Sequence, residues 1–283
     1  MVPFLTTNRS FRILKLNNNG LGPAGGAVIA DALLQSALLS KKEGKSSNLR
    51  TVICGRNRLE DGSASSWAEA FKAHGGLVEI RMPQNGIRMD GISTLVAGIS
   101  ACKNLQYLDL QDNTFSELGS TTMAGVLGLW PDLHTLNLSD CHLASEGEIS
   151  PVVEALSKGS NPRLQTLQLQ NNNFDSQSYI LLSEGINSAL GLLKRLELQW
   201  NDFEEEDEAV GILQRTLKGR GGKVIVDDDD EEEGVEEEEE EGVEEEKKGE
   251  ASASLSESIP AKNLTDKETD ALTDLLNKVS VKP

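Results

Sequence analysis

Apolar positions along the first 226 residues recur in one short pattern: two apolar residues flank a single outward one, a polar turn follows, and then a longer amphipathic stretch. Aligned on the apolar residue that closes the pair, the copies fall at Leu16, Cys54, Met82, Leu110, Leu138, Leu169 and Leu198. Successive copies are 38, 28, 28, 28, 31 and 29 residues apart. A spacing near 28 has room for one strand, one turn and one helix. Alternation within each pair predicts a strand with two residues facing a core and one facing out: Leu108 and Leu110 inward, Asp109 outward. Helices are expected over 24–39, 65–74, 91–102, 120–129, 148–157, 176–190 and 205–217, where Trp67, Phe71, Ile92, Leu95, Ile99, Val126 and Leu129 follow helical spacing. The predicted architecture is α/β, a right-handed coil of strand and helix units with a parallel sheet on its inner side and helices outside. The long first interval implies an insertion over 40–48, read as a surface loop on the helix side.

The polar positions divide into two groups. Three places after each closing apolar residue stands asparagine, at Asn19, Asn57, Asn85, Asn113, Asn172 and Asn201, with Cys141 in the fifth copy. An amide side chain there can satisfy backbone groups where the chain leaves the strand, so these seven residues are expected to form a structural ladder, Cys141 as a weaker rung. The other group is outward-facing. Strands contribute Lys15, Ile53, Arg81, Asp109, Asn137, Gln168 and Glu197, and the turns before the asparagine rung contribute Asn18, Arg56, Gln84, Asp112, Asp140, Asn171 and Trp200. The series runs from basic and amide residues to acidic ones, whereas a nucleic-acid surface would keep one positive sign throughout. A mixed polar rim suits a folded protein partner.

Charge changes the picture only at the C-terminus. Residues 227–250 carry 17 acidic and 2 basic side chains, a net of −15 out of −19 for the whole chain. That tract cannot bury enough apolar surface to fold and would repel nucleic-acid phosphate. The expected organisation is a repeat domain over 1–226, an acidic disordered tract over 227–250, and a linker with one short amphipathic helix over 251–283. Three cysteines without a Cys-x-x-Cys spacing point to a reducing compartment. No apolar run approaches the ~20 residues of a membrane span, and the N-terminus lacks the features of a secretory signal. Gly20, Gly22 and Gly25 match a dinucleotide fingerprint, but later copies form the same turn without glycines. His74, His134 and His142 share no metal-ligand spacing and are expected at surface or rim positions. Neither a nucleophile motif nor a phosphate-binding loop is present, so no cofactor and no metal is expected.

Four segments carry a more specific likeness: Leu16-Asn-Asn-Asn-Gly-Leu-Gly-Pro23, Ile53-Cys-Gly-Arg-Asn-Arg-Leu59, Gln84-Asn-Gly-Ile-Arg88 and Leu108-Asp-Leu-Gln-Asp-Asn-Thr-Phe115. Together with the acidic tract after the last copy, they resemble the Ran GTPase-activating proteins of the fungal type over roughly residues 4–226. The resemblance implies a leucine-rich repeat solenoid of the ribonuclease-inhibitor-like kind. It also implies a GTPase activator that is not itself an enzyme. Such an activator would act on a Ran-type small GTPase in its GTP form, with a Ran-binding protein as a further partner, in the cytoplasm or at the nuclear envelope or nucleus. The chain is expected to be monomeric and to bind neither nucleic acid nor membrane. In that family the activator positions the GTPase's own glutamine instead of inserting an arginine finger, and the family's asparagine falls on Asn18. Partner contacts are expected from Lys15, Asn17, Arg56, Arg58, Arg81, Gln84, Asp109 and Asp112. Family members carry further repeats upstream, including an arginine in a Thr-Gly-Arg setting, so the sequence reads as an N-terminally shortened form. A different class, an acidic leucine-rich histone-binding scaffold, shares the outline but uses shorter repeats, and a general protein-binding solenoid with no GTPase link is a further alternative.

Overall fold

A computed structural model describes residues 1–145, 147–202 and 207–227. The acidic tract from 228 onward and the helix expected near the C-terminus lie outside the described residues. Among the described residues eight strands alternate with helices: β1 Ile13–Lys15, β2 Thr51–Ile53, β3 Glu79–Arg81, β4 Tyr107–Asp109, β5 Thr135–Asn137, β6 Thr166–Gln168, β7 Arg195–Glu197 and β8 Lys223–Ile225. The helices are α1 Val2–Thr7, α2 Gly22–Lys42, α3 Ala64–His74, α4 Met89–Ile99, α5 Ser116–Leu127, α6 Pro151–Ser157, α7 Ser176–Gly185 and α8 Glu208–Gly219. All strands pair in parallel, in chain order, so each crossover returns beside the strand it left. Register is uniform, Lys15 opposite Ile53 and Ile53 opposite Arg81, and the outward residues of the repeats therefore stack in one row across the open face of the sheet.

The core lies between sheet and helices. Leu14, Val52, Ile80, Leu108, Leu136, Leu167 and Leu196 are buried from the strands, and Trp67, Phe71, Ile92, Leu95 and Ile99 from the helices. Each helix packs on the next one in sequence. Neighbouring coils approach so closely that a Cβ on Gly98 would lie 2.4 Å from Ala68 Cα, and only glycine fits there.

Four expectations are corrected. An eighth strand, β8, follows α8; its Lys-Val-Ile has the alternation but not the asparagine turn that defines the other copies. The segment over 40–48 lies at the surface as expected but begins as helix and not as loop, because α2 runs through to Lys42; within it only Ser40 is buried, hydrogen-bonded to Ser36 O. Leu129 is 40% exposed; α5 ends at Leu127, so Met123, Leu127 and Trp130 fill the core instead. Finally, α2 has 21 residues and is long and apolar enough to cross a membrane, contrary to the count of apolar runs. It nevertheless buries Ile29, Ala30, Leu33 and Ala37 against the repeat core, the behaviour of an internal helix of the coil.

His74 is also corrected, from surface to buried. It ends α3 with Nε2 3.0 Å from Leu33 O and Nδ1 2.6 Å from Ser47 Oγ. A carbonyl only accepts, so Nε2 carries the proton and Nδ1 accepts from the Ser47 hydroxyl. Burial holds this ring neutral, its pKa lowered to about 4, against a smaller opposing effect of the Leu33 carbonyl.

Between pH 6.5 and about 4 the unfolded chain therefore binds a proton that the folded chain refuses. Stability should fall as pH drops through that window, by up to ~3 kcal/mol, and the slope of urea midpoint against pH should flatten in His74→Gln. A second expectation concerns the rungs. Asn85 is buried and its amide donates to Cys54 O at 2.8 Å and Met82 O at 3.0 Å, so Asn85→Ala should cost about 2–4 kcal/mol in urea unfolding. Asn19→Ala, at an exposed rung, should cost under about 1 kcal/mol in the same measurement.

Candidate functional site at the turn rim

The turns that follow the strands are built alike. In each, the residue before the rung takes a left-handed conformation: Asn18 (φ 58), Arg56 (56), Gln84 (54), Asp112 (52), Asp140 (55), Asn171 (49) and Trp200 (58). This conformation disfavours side chains with a Cβ by roughly 1–2 kcal/mol, with asparagine and aspartate tolerating it best. The cost is offset at the first six of these turns by the same cross-coil bond. Asn18 N donates to Gly55 O (2.9 Å), Arg56 N to Pro83 O (3.0 Å), Gln84 N to Gln111 O (2.9 Å) and Asp112 N to Ser139 O (2.9 Å). These residues thus form one ridge along the rim of the sheet.

Beneath the ridge runs the ladder. Asn57 donates to Leu16 O (2.7 Å) and Gly55 O (2.9 Å), while its Oδ1 accepts from Asn19 N (2.9 Å). Asn85 Oδ1 accepts from Asn57 N, and Asn113 Oδ1 from Ile87 N. Asn172 Oδ1 accepts from the backbone of Cys141 and Leu143, and Asn201 Oδ1 from Asn172 and Phe174. At Cys141 the thiol stands 3.5 Å from Leu110 O and 3.3 Å from Ser139 O, with no amide oxygen to reach the preceding coil. Burial pushes the thiols of Cys54 and Cys102 up to about 12 and about 11, and raises Cys141 too, so all three stay protonated and unreactive near neutrality. Asn19 is exposed, at the turn after β1, which no strand precedes among the described residues.

The residues expected at the site fall in different settings. Asn17 lies on the open face with Oδ1 accepting from Gly55 N (2.7 Å), which ties the first turn to the second. Asn18 is exposed beside it, and among the described residues its side-chain amide has no hydrogen-bond partner. Lys15 and Arg58 are exposed, the latter also left-handed (φ 53). Arg56 Nε donates to Gln84 Oε1, joining two neighbouring turns. Arg81 Nη2 is 2.6 Å from Glu79 Oε1 and its guanidinium lies 4.0 Å over the Tyr107 ring. Asp109 is half-buried, and burial raises its pKa against the lowering effects of Gln111 N–H and Arg81. Asp112 is exposed on the ridge. Asn18, Arg56 and Gln84 thus share one row, whereas Arg81 and Asp109 sit deeper, on the sheet itself.

A second outward row went unread in the sequence: Ile13, Thr51, Glu79, Tyr107, Thr135, Thr166 and Arg195, each two residues before the first. Period-two alternation would have found it, had the leucine pair not drawn attention to the residue between. This row supplies the groups that fix the first. Thr51 Oγ1 donates to Glu79 Oε2 at 3.1 Å, and buried Glu197 accepts from Gln168, Gln170 and Arg195. Arg56, Arg58, Arg81 and Arg88 stand toward the N-terminal coils, and Asp112, Asp140 and Glu197 toward the C-terminal ones. Near Arg88 the rim also holds an open depression lined by Pro23, Glu60, Asp61, Gly62 and Gly86, where Asp61 Oδ1 accepts from Arg88 N at 2.7 Å. The glycines of the dinucleotide-like segment are spent in the turn, Gly20 and Gly22 at φ 60 and 61.

Leucine-rich repeat family models match residues 7–30 and 131–147, and a second such model matches residues 104–125. The chain is 39% identical over 208 residues to Ran GTPase-activating protein 1 of Saccharomyces cerevisiae, a match covering 71% of this chain and 50% of that protein. It is 49% identical over 74 residues to Ran GTPase-activating protein 1 of Xenopus laevis (26% of this chain, 13% of that one). Against Ran GTPase-activating protein 2 of Caenorhabditis elegans, identity is 50% over 82 residues (29% and 8%). The chain thus matches about half the length of its yeast relative and smaller parts of the others.

One substitution tests the rigidity of the rim. A Cβ on Gly55 would stand 2.9 Å from Pro83 Cγ and 3.1 Å from Pro83 O. Gly55→Ala should therefore force the second and third turns apart and cost about 1–3 kcal/mol, read as a lowered thermal midpoint.

Proposed function

We propose that this chain, a leucine-rich repeat relative of the Ran GTPase-activating proteins, stimulates GTP hydrolysis by a Ran-type small GTPase in its GTP form. Its role is that of an activator and not of the hydrolase. Hydrolysis of a nucleoside triphosphate needs little covalent chemistry from a protein, and orienting the attacking water can supply much of the acceleration. Asn18 would do this indirectly: its amide donates to and accepts from the side-chain amide of the GTPase's catalytic glutamine, fixing one rotamer that holds the water in line. Support comes from the setting of Asn18, an exposed amide with a free donor and acceptor among the described residues, on a turn held by donation from Asn18 N to Gly55 O and from Gly55 N to Asn17 Oδ1. A group held within a fraction of an ångström is what such a task requires. Lys15, Arg56, Arg58 and Asp112 would contact the GTPase around it, with a Ran-binding protein as a further component. The chain would work as a monomer, in the cytoplasm, where hydrolysis keeps the GTPase in its GDP form, or at the nuclear envelope or nucleus.

In single-turnover assays of GTP hydrolysis by Ran, added protein should accelerate the reaction, and Asn18→Ala should remove about 10²-fold of the rate. Equal acceleration with and without Asn18 would overturn the mechanism, and no acceleration by the unsubstituted chain would overturn the activity.

A further inference from the structure

We infer that Gln84 is a positioning residue for Arg56: it holds the guanidinium in one orientation, charged and open, for a carboxylate on the partner GTPase. This rests on the reading just given. Three arginines stand near Asn18 and differ in what restrains them. Arg81 is restrained by a carboxylate, Glu79 at 2.6 Å, and by stacking on Tyr107 at 4.0 Å. Glu79 is in turn fixed by Thr51 at 3.1 Å. Its charge is already matched within the chain, so a second carboxylate gains little from it. Arg58 keeps its charge but has no side-chain hydrogen bond among the described residues, so binding must order it. Arg56 alone of the three is both oriented and uncompensated, because Gln84 Oε1 is a neutral acceptor taking only the Nε hydrogen. Four Nη hydrogens of the planar fork remain for a planar anion.

The lock is stiff because both ends are. Arg56 and Gln84 occupy left-handed positions (φ 56 and 54) on adjacent turns. Arg56 N donates to Pro83 O at 3.0 Å, Gln84 N to Gln111 O at 2.9 Å, and Gly55 lies against Pro83 without room for a Cβ. A long side chain so held loses less freedom on binding, which appears as affinity. The same backbone carries Asn18 through Gly55, so orientation of Arg56 and of Asn18 share one frame.

A double-mutant cycle distinguishes positioning from contact. Dissociation constants for Ran loaded with a non-hydrolysable GTP analogue are measured for the unsubstituted chain, Arg56→Met, Gln84→Met, Gln84→Glu and the two double variants. Gln84→Met should weaken binding about 2- to 12-fold, the cost of ordering one long side chain. Gln84→Glu should weaken it as far as Arg56→Met, because its carboxylate occupies the guanidinium. With Arg56→Met in place, Gln84→Met should change affinity by less than about two-fold. Independently of Ran, the Arg56 Nε–H should exchange with water more slowly than that of Arg58 by NMR, and Gln84→Met should abolish the difference. Equal losses from Gln84→Met with and without Arg56, or equal exchange at the two arginines, would overturn the role. Failure of the unsubstituted chain to bind Ran would overturn the Ran reading and this role with it; binding with additive losses would overturn this role alone.

Discussion

The asparagine rung is the constraint on which the rest depends. A chain that leaves a three-residue strand and turns at once toward a helix buries backbone N–H and C=O groups that no regular ladder reaches. One amide satisfies them in both directions: Asn85 donates to the coil before it at Cys54 O and to its own turn at Met82 O, and accepts from Asn57 N. Because each buried asparagine rung serves two coils, the turns cannot vary independently. Their uniformity gives the sheet its single register and lets outward residues align in rows.

That uniformity has a functional consequence. The residue before each rung must adopt φ near +50 to +58, so its side chain is directed by the backbone and not by packing. The protein can therefore place almost any residue type there, from Asn18 to Trp200, without altering the fold. Trp200 shows how far this goes, an indole 61% exposed in a conformation that bulky residues seldom take. Variation in chemistry along the ridge leaves its geometry unchanged, and the strain at its first six positions is held by a cross-coil bond of 2.9–3.0 Å. Asn18, Arg56 and Gln84 differ in role because they differ in side chain, on turns of one geometry.

Much of the fold was legible because repetition multiplies a weak signal. A single Leu-x-Leu predicts little, but seven at nearly constant spacing specify strand order, parallel pairing and the buried face. The misses occur where repetition ends or is interrupted. β8 lacks the asparagine turn, α2 absorbs its insertion as extra helix, and Leu129 sits beyond the end of α5. His74 was missed because its partners, Leu33 O and Ser47 Oγ, lie in the preceding coil, 41 and 27 residues away. At the site, residue identity and row were readable from the alignment. What each residue does there depends on pairing between coils: the Tyr107 ring under Arg81, the amide beside Arg56 and the close contact of Gly55 with Pro83 all join different repeats. Spacing within one repeat carries no information on those pairs.

We propose that the ridge of left-handed turns is the face presented to a Ran-type GTPase. Hydrogen–deuterium exchange on the chain with and without Ran bound to a GTP analogue tests it most directly. New protection is expected over residues 17–20, 55–60 and 83–88, with little change in α3 and α4. Protection confined to the helices, with the three turns exchanging as in the free chain, would contradict it.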